Sequence, residues 1–395
     1  MANKRQRANG EGSIMKRMVN GKQDGWRASL TIGRNDNGSL KRKDFYGKTK
    51  KEVQTKMDDY KKQMSLGLLM NDKITIDQWY FTWLFDFKSK DLAPSTFECY
   101  EGVYRLYIKD SDIGDIKLID LRTAHLQRYY TKLLDIDKLD ASNVKRINKT
   151  LKTCLKEAIK QGYLQKNWCD DVNLPKVKKE DNIKALSKDD QLRLLEALKG
   201  IDLELLITFA LGTGLRLGEV LGLKWSDIDF KEHTLSVQRS VRRVVEIQRD
   251  GTRERILKEV PPKTENSFRT VPIPKTILNK LKSYKKVQNK LILSLDEGNY
   301  QNNNYVFCNN DGTIMDPKKP NRRLSTVLKS NDIELITFHG LRHTYCTRLF
   351  EAGVPPKTVQ SLVGHSDIET TMNIYTHVMK ETKIEAVDKI NSIFV

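Results

Sequence analysis

The hydrophobic period of this chain changes twice, and one domain type cannot satisfy all three patterns. In the first sixty residues, Ser13–Met18, Gly25–Ile32 and Lys41–Tyr46 read as short strands parted by turns at Asn20-Gly21 and Asn35-Asp-Asn-Gly38. Thr49 then caps a helix from Lys50 to Met64. From Thr75 the spacing becomes helical. Ile76, Trp79, Trp83 and Phe87 form one stripe, and Pro94 opens a second with Phe97, Tyr100, Tyr104 and Tyr107. Thr123 starts a third helix, and Val144, Ile147, Leu151, Leu155 and Ile159 mark a fourth that Gly162 stops. After the proline-containing, charged stretch Leu174–Asn182, Ser187-Lys-Asp-Asp190 resembles a capping box, and helices return. They are interrupted by β character over Thr234–Ile273, with a turn at Asp250-Gly251. A chain of 395 residues is long enough for two or three domains. The expected fold class is therefore multidomain α+β: a three-stranded sheet plus helix over 1–66, a four-helix domain over 72–174, and a mainly α domain with β-hairpins over 183–395.

Charge narrows the partner. The chain carries 70 Lys and Arg against 51 Asp and Glu, a net +19. Residues 1–62 alone hold 17 basic residues and 7 acids, about half of that excess. So dense a cluster is the electrostatic footprint of a polyanion binder. On the fourth helix of the second domain, Lys145, Arg146, Lys149, Lys152 and Lys156 lie off the apolar stripe and are candidates to touch backbone phosphate. No eighteen-residue apolar run occurs and Met1-Ala-Asn-Lys-Arg is no secretory leader, so no membrane partner and a cytoplasmic location are expected. The five cysteines are scattered without a C-x-x-C spacing and read as reduced thiols, not as a zinc site.

The chemistry concentrates near the C-terminus, in Thr337-Phe-His-Gly-Leu-Arg-His343, Leu362-Val-Gly-His365 and Asn373-Ile-Tyr375-Thr-His377. A guanidinium such as that of Arg342 can hold both non-bridging oxygens of a phosphodiester, with His339 and His365 beside it. A phenol is a weak nucleophile at neutral pH, so Tyr375 needs nearby cations and a proton acceptor if it is to attack phosphorus. Upstream, Gly212-Thr-Gly-Leu-Arg216-Leu-Gly-Glu219 follows a helix and its third glycine comes one residue late for a dinucleotide loop, so no nucleotide cofactor is expected. His339 and His343 stand one helical turn apart, a spacing that suits zinc, but the glutamate of H-E-x-x-H and a clear third ligand are absent. Neither metal nor any other cofactor is called for.

Taken together, these motifs resemble the tyrosine recombinases, the phage-integrase family. The resemblance covers residues 180–395 best. It implies Tyr375 as nucleophile and Arg216, Lys263, His339, Arg342 and His365 as the catalytic residues around the scissile phosphate, with Glu219 as a supporting acid that fixes a nearby cation. Lys263 is assigned because the family carries a lysine on a β-hairpin turn, which Pro261-Pro-Lys-Thr matches. The N-terminal region resembles the arm-binding domain of integrases from conjugative transposons, which would point Arg27, Arg34, Lys41 and Lys43 at a major groove. Residues 72–174 would be the core-binding domain. The implied partners are double-stranded DNA with core-type and arm-type sites, three further copies in a synaptic homotetramer, and a small accessory directionality factor. The stripe Ile384, Val387, Ile390 and Ile393 would dock on an adjacent protomer. Two other classes are open to such a sequence: a type IB topoisomerase-like enzyme that relaxes DNA by the same chemistry, and a non-catalytic DNA-binding regulator.

Overall fold

The structure is a computed structural model that describes residues 12–19, 21–34, 39–65, 73–177, 184–262, 268–296 and 298–381. The chain forms two compact units, Met1–Lys178 and Lys179–Val395.

The first unit begins with an antiparallel sheet in the order β1 (Ser13–Val19), β2 (Lys22–Arg34), β3 (Leu40–Gly47), covered by α1 (Lys50–Ser65). Thr49 caps α1, its hydroxyl accepting from the Glu52 amide at 3.2 Å. Register decides which side chains α1 covers. Ala28 stands opposite Ile14 and Phe45, and Leu30 opposite Lys43. With Val53 and Met57 of α1 they form a small core, against which Trp26 and Tyr60 pack. Strand parity therefore splits three of the four basic residues expected on one face. Arg27 is on the open face, cross-strand from Tyr46 and ion-paired to Asp44 at 2.6 Å. Lys43 is on the covered face, its ammonium 5.2 Å from the centre of the Tyr60 ring, and Lys41 shares its strand parity. Arg42, opposite Thr31, takes the open-face position instead. The Arg34 side chain lies outside the described residues.

The same unit holds a four-helix bundle. α2 (Ile76–Thr82) opens on a capping box between Thr75 and Gln78 and runs on through a wide, π-type turn over Trp83–Lys88. α3 (Pro94–Val103) starts with proline in its first turn and ends in a second such turn over Tyr104–Ile108. α4 (Thr123–Asp135) and α5 (Ala141–Lys160) complete the bundle. Rings fill it: Tyr80 stacks on Tyr104 and Trp83 on Tyr100, each pair 5.4 Å apart. The Trp79 indole donates to the Cys154 carbonyl at 3.3 Å. Widening the turn after Thr82 shifts the helical phase, which leaves Phe87 at the rim, 37% exposed, and not inside. On α5, Arg146, Lys149, Lys152 and Lys156 are exposed and Lys145 is half-buried; Lys152 pairs with Asp170.

The second unit contains α6 (Lys188–Ala197), α7 (Glu204–Thr213), α8 (Leu217–Leu221), β4 (Ile228–Asp229), β5 (Thr234–Val237), β6 (Ser240–Ile247), β7 (Arg253–Val260), β8 (Arg269–Pro272), α9 (Lys275–Ser294), α10 (Lys318–Ser330), α11 (Phe338–Glu351), α12 (Pro356–Val363) and α13 (Ile368–Glu381). The β character read from Thr234 towards the turn at Asp250-Gly251 breaks at Gln238-Arg239. β5 joins a sheet ordered β4-β5-β8, while β6 pairs only with β7 in a hairpin closed at Gly251. Arg239 at the break is bonded to Asp227, which anchors the corner. α11 packs on α7, α12 and α13. Ser187 caps α6, accepting from the Asp190 amide at 3.0 Å, whereas the Thr337 hydroxyl makes no capping bond at the start of α11. All five cysteines are unpaired. No helix among the described residues is long and apolar enough to cross a membrane.

Trp79 is 1% exposed and bonded across the bundle. Trp79→Ala is expected to destabilise the first unit by about 3–5 kcal/mol, read from denaturant midpoints.

Candidate active site

The site is assembled around the C-terminal end of α12, whose last carbonyls have no intrahelical donor. Gly364 closes the helix in the left-handed conformation, at φ 67°, its amide bonding the Gln360 carbonyl. The three successive carbonyls at this end each accept from a different arginine. Arg269 Nε donates to Leu362 at 2.9 Å, Arg342 Nη2 to Val363 at 2.6 Å, and Arg216 Nη2 to Gly364 at 3.1 Å. These arginines come from β8, α11 and the cap of α8. The negative pole of the helix attracts all three.

Glu219 ties them together. Its carboxylate is 5% exposed; it takes both ends of the Arg269 guanidinium, at 3.2 and 2.9 Å, and Arg216 Nη1 at 2.8 Å. It also accepts the Arg216 amide at 3.0 Å, fixing the backbone as well as the side chain. Burial alone would raise the Glu219 pKa, but Arg269 and then Arg216 hold it below the usual carboxylate value. Three guanidiniums against one carboxylate leave a net positive site. Arg342 is innermost, 1% exposed; burial and then Arg216 push its pKa down to about 9, so it remains charged at neutral pH. Arg216 is the more open, its side chain 36% exposed.

Gly214 sets the geometry beneath. It ends α7 at φ 63°, and its carbonyl accepts Arg342 Nη1 at 2.9 Å. A Cβ there would stand 2.3 Å from the Tyr345 ring. Gly214 is thus required by a left-handed helix end packed under an aromatic ring, while a Cβ at Gly212 would meet the Ile277 side chain.

The histidines lie beside the arginines. His339, exposed on the first turn of α11, is edge-on to His343 at 4.6 Å. Partial desolvation and then Arg342 and Arg216 lower its pKa. His365, 7% exposed, pairs through Nδ1 with the Thr371 hydroxyl at 2.9 Å. Burial, Arg342 and Arg216 push it down to about 3, so it is a neutral imidazole. The direction of that bond follows the tautomer: where Nδ1 accepts from Thr371, Nε2 carries the proton and is the donor. A cavity of about 380 Å³ opens here, lined by Phe268, Arg269, Lys357, Gln360, Gly364 and His365.

Of the residues expected from sequence, Arg216, Glu219, His339, Arg342 and His365 are brought together. Tyr375 is on α13, half-buried, its ring edge-on to Phe350 at 5.2 Å; none of the hydrogen bonds of the arginine cluster reaches its hydroxyl. Lys263 lies outside the described residues. Arg269 and Thr371 were not anticipated; the only local sign of Arg269 was a basic residue on the last strand of the β region.

Comparison with known proteins identifies the family. Residues 184–382 match the model of the phage integrase family, and 75–134 that of the phage integrase N-terminal SAM-like domain. A tyrosine recombinase XerC-like protein of Caldanaerobacter subterraneus subsp. tengcongensis is 40% identical over 384 residues, 95% of this chain and 98% of the relative. The ICEBs1 integrase of Bacillus subtilis is 28% identical over 77% of this chain and 79% of its own. Among solved structures, the Tn1549 transposon integrase in complex with transposon right-end DNA superposes with a TM-score of 0.64 at 21% identity, covering 80% of this chain and 99% of that one. A lambda integrase tetramer bound to a Holliday junction gives 0.55 at 17% identity, over 93% and 96%. The chain belongs to the phage integrase family of tyrosine-type site-specific DNA recombinases.

His343 is pushed down to about 4 and His365 to about 3, against an ordinary imidazole value near 6.5. Below pH 6.5 the unfolded chain takes up protons that these folded imidazoles refuse, so stability is full above that pH and falls as pH drops towards 4. Thermal unfolding followed from pH 7 to pH 4 is expected to show this decline, and His343→Gln to make it shallower.

Proposed function

We propose that the chain is the integrase of a mobile element, of the conjugative-transposon kind, which cuts and rejoins DNA strands through a 3′-phosphotyrosine. The observation that carries this reading is the net positive cluster of Arg216, Arg342 and Arg269 around one helix end, with neutral His339 and His365 beside it and the Tyr375-bearing α13 packed on α11 and α12.

In the proposed reaction the Tyr375 oxygen attacks phosphorus, forming the P–O bond to tyrosine and breaking the bond to the 5′ oxygen. Arg216 meets the non-bridging oxygens from the open side and Arg342 adds charge from beneath, stabilising the transition state. His339, neutral at working pH, accepts the phenol proton; Lys263 gives a proton to the departing 5′ oxygen; His365 donates from Nε2 to a phosphate oxygen. The phosphotyrosine keeps the bond energy. The 5′ hydroxyl of a partner strand then attacks it and releases the tyrosine.

The roles of the remaining regions follow from charge and likeness. Residues 1–66 read arm-type sites, with Arg27 and Arg42 on the open sheet face; 72–174 grip the core site, with Arg146 and Lys149 towards phosphate; 183–395 form the catalytic domain. The lambda integrase likeness supports a tetramer on two duplexes, and the stripe Ile384, Val387, Ile390 and Ile393, which lies outside the described residues, is proposed to dock on a neighbour. A small directionality factor belongs to this scheme. The basic sheet and the recombinase relatives favour strand exchange over simple relaxation of supercoils.

A duplex bearing the element's joined ends, nicked beside the crossover, tests the reaction. The wild-type chain should form a covalent protein–DNA adduct on denaturing gels. Tyr375→Phe should form none while binding the duplex within about threefold of wild type; an adduct with this variant refutes the assignment. Measured below saturation, where the free site sets the profile, the second-order rate of adduct formation should fall on the acid side only below about pH 6.5, because the lowered His339 pKa keeps the base neutral down to that point.

A further inference from the structure

Arg269 has no role in the chemistry above, yet it is among the most constrained cations of the second unit. Its side chain is 7% exposed. Nε holds the Leu362 carbonyl at 2.9 Å, while Nη1 and Nη2 take the two Glu219 oxygens at 3.2 and 2.9 Å. The fork is thus divided between an acid on α8 and the end of α12. Glu219 uses the same two oxygens to hold Arg216, at 2.8 Å to the side chain and 3.0 Å to the amide. Arg216 in turn reaches Gly364, two residues beyond the carbonyl that Arg269 holds. The result is a closed circuit: β8 to α8 to the end of α12 and back to β8.

Two physical consequences follow. The first is orientation. Arg216 has five donors and several acceptors within reach, and the Glu219 carboxylate can aim it only if that carboxylate is itself held from the far side. The second is charge. A lone buried carboxylate bonded to Arg216 would neutralise the guanidinium meant for phosphate. A second cation on the same carboxylate takes up that negative charge, and Arg216 keeps an attraction for an anion.

We propose that Arg269 is a positioning residue for strand cleavage, which aims Arg216 through Glu219, keeps Glu219 from quenching its charge, and locks the turn that carries His365. The proposal rests on the recombinase reading given above. It predicts a defect in the chemical step and not in DNA binding, because Arg269 is buried and its three nitrogens are already occupied.

The test uses the full chain and the nicked duplex of joined element ends, with cleavage measured in a single turnover at saturating protein and affinity measured by gel shift. Arg269→Gln should slow adduct formation by about 10²-fold, the scale of losing one well-placed transition-state donor, with affinity changed less than about threefold. Glu219→Gln added to Arg269→Gln should restore about tenfold, since the buried negative charge that quenches Arg216 is gone; a packing role alone would leave the double variant no faster than the single one. Should Arg269→Gln fail to fold by circular dichroism, Arg269→Lys carries the test. It keeps the charge but not the fork, and should still lose at least about tenfold in rate. Either variant cleaving at the wild-type rate overturns the proposal, as does a double variant without rescue. If the wild-type chain forms no adduct, the recombinase reading of Tyr375 is what fails.

Discussion

One helix end organises the catalytic unit. At the close of α12 the carbonyls of Leu362, Val363 and Gly364 would be left without donors, and each is satisfied by a guanidinium from elsewhere in the chain. Unpaired buried carbonyls and unpaired buried guanidiniums are each costly, so the arrangement relieves both kinds of group at once. It also fixes β8, α8 and α11 relative to α12 through backbone contacts that do not depend on how α12's side chains pack. Gathering like charges is normally unfavourable. Here the helix pole and the single carboxylate of Glu219 offset part of the repulsion, and the remainder is what a phosphodiester would meet.

The histidines are controlled by the same cluster. The positive field, added to burial, keeps His339, His343 and His365 unprotonated, so the site's charge is carried by groups that do not titrate near neutrality. This separates two tasks. In the proposed reaction the arginines attract an anion across the physiological range, while the imidazoles stay available to exchange protons. An incoming phosphate would raise the histidine pKa values again, because its negative charge opposes the field that lowers them. Proton affinity in the site thus rises as the substrate arrives.

Much of this was legible locally. Arg216, His339, Arg342 and His365 stand in short motifs whose residue types already imply anion chemistry, and the change from period two to period 3.6 marked where sheet gives way to helix. Arg269 and Thr371 were not legible, since each is defined by a partner reached through tertiary structure: Leu362 lies 93 residues from Arg269, and Thr371 reaches back across a helix junction to His365. The face of Lys41 and Lys43 was also hidden. In Lys41-Arg-Lys43 either parity puts basic residues outward, and only the pairing of Leu30 with Lys43 and the irregularity between Thr31 and Gly33 assign Arg42 to the open side. The break at Gln238-Arg239 escaped for a similar reason, because β propensity runs straight through it while Asp227 pulls Arg239 out of line.

Tyr375 gives the clearest sense of how this site is built. Arg216 and Arg342 are tied to the main-chain carbonyls of Gly364, Gly214 and Val363 and Glu219 to the guanidiniums around it, whereas Tyr375 packs edge-on against Phe350 on a helix resting against α11 and α12. A ring packed edge-on is worth about 0.5–1.5 kcal/mol beyond its burial, far less than the hydrogen-bonded circuit around Glu219. The arginine cage is therefore tied by directional bonds, and Tyr375, the proposed nucleophile, by packing. In the proposed reaction the same oxygen must attack, stay bonded while strands exchange, and then be released, which asks for directional bonds in the groups that would meet phosphate and leaves the tyrosine's helix to packing alone.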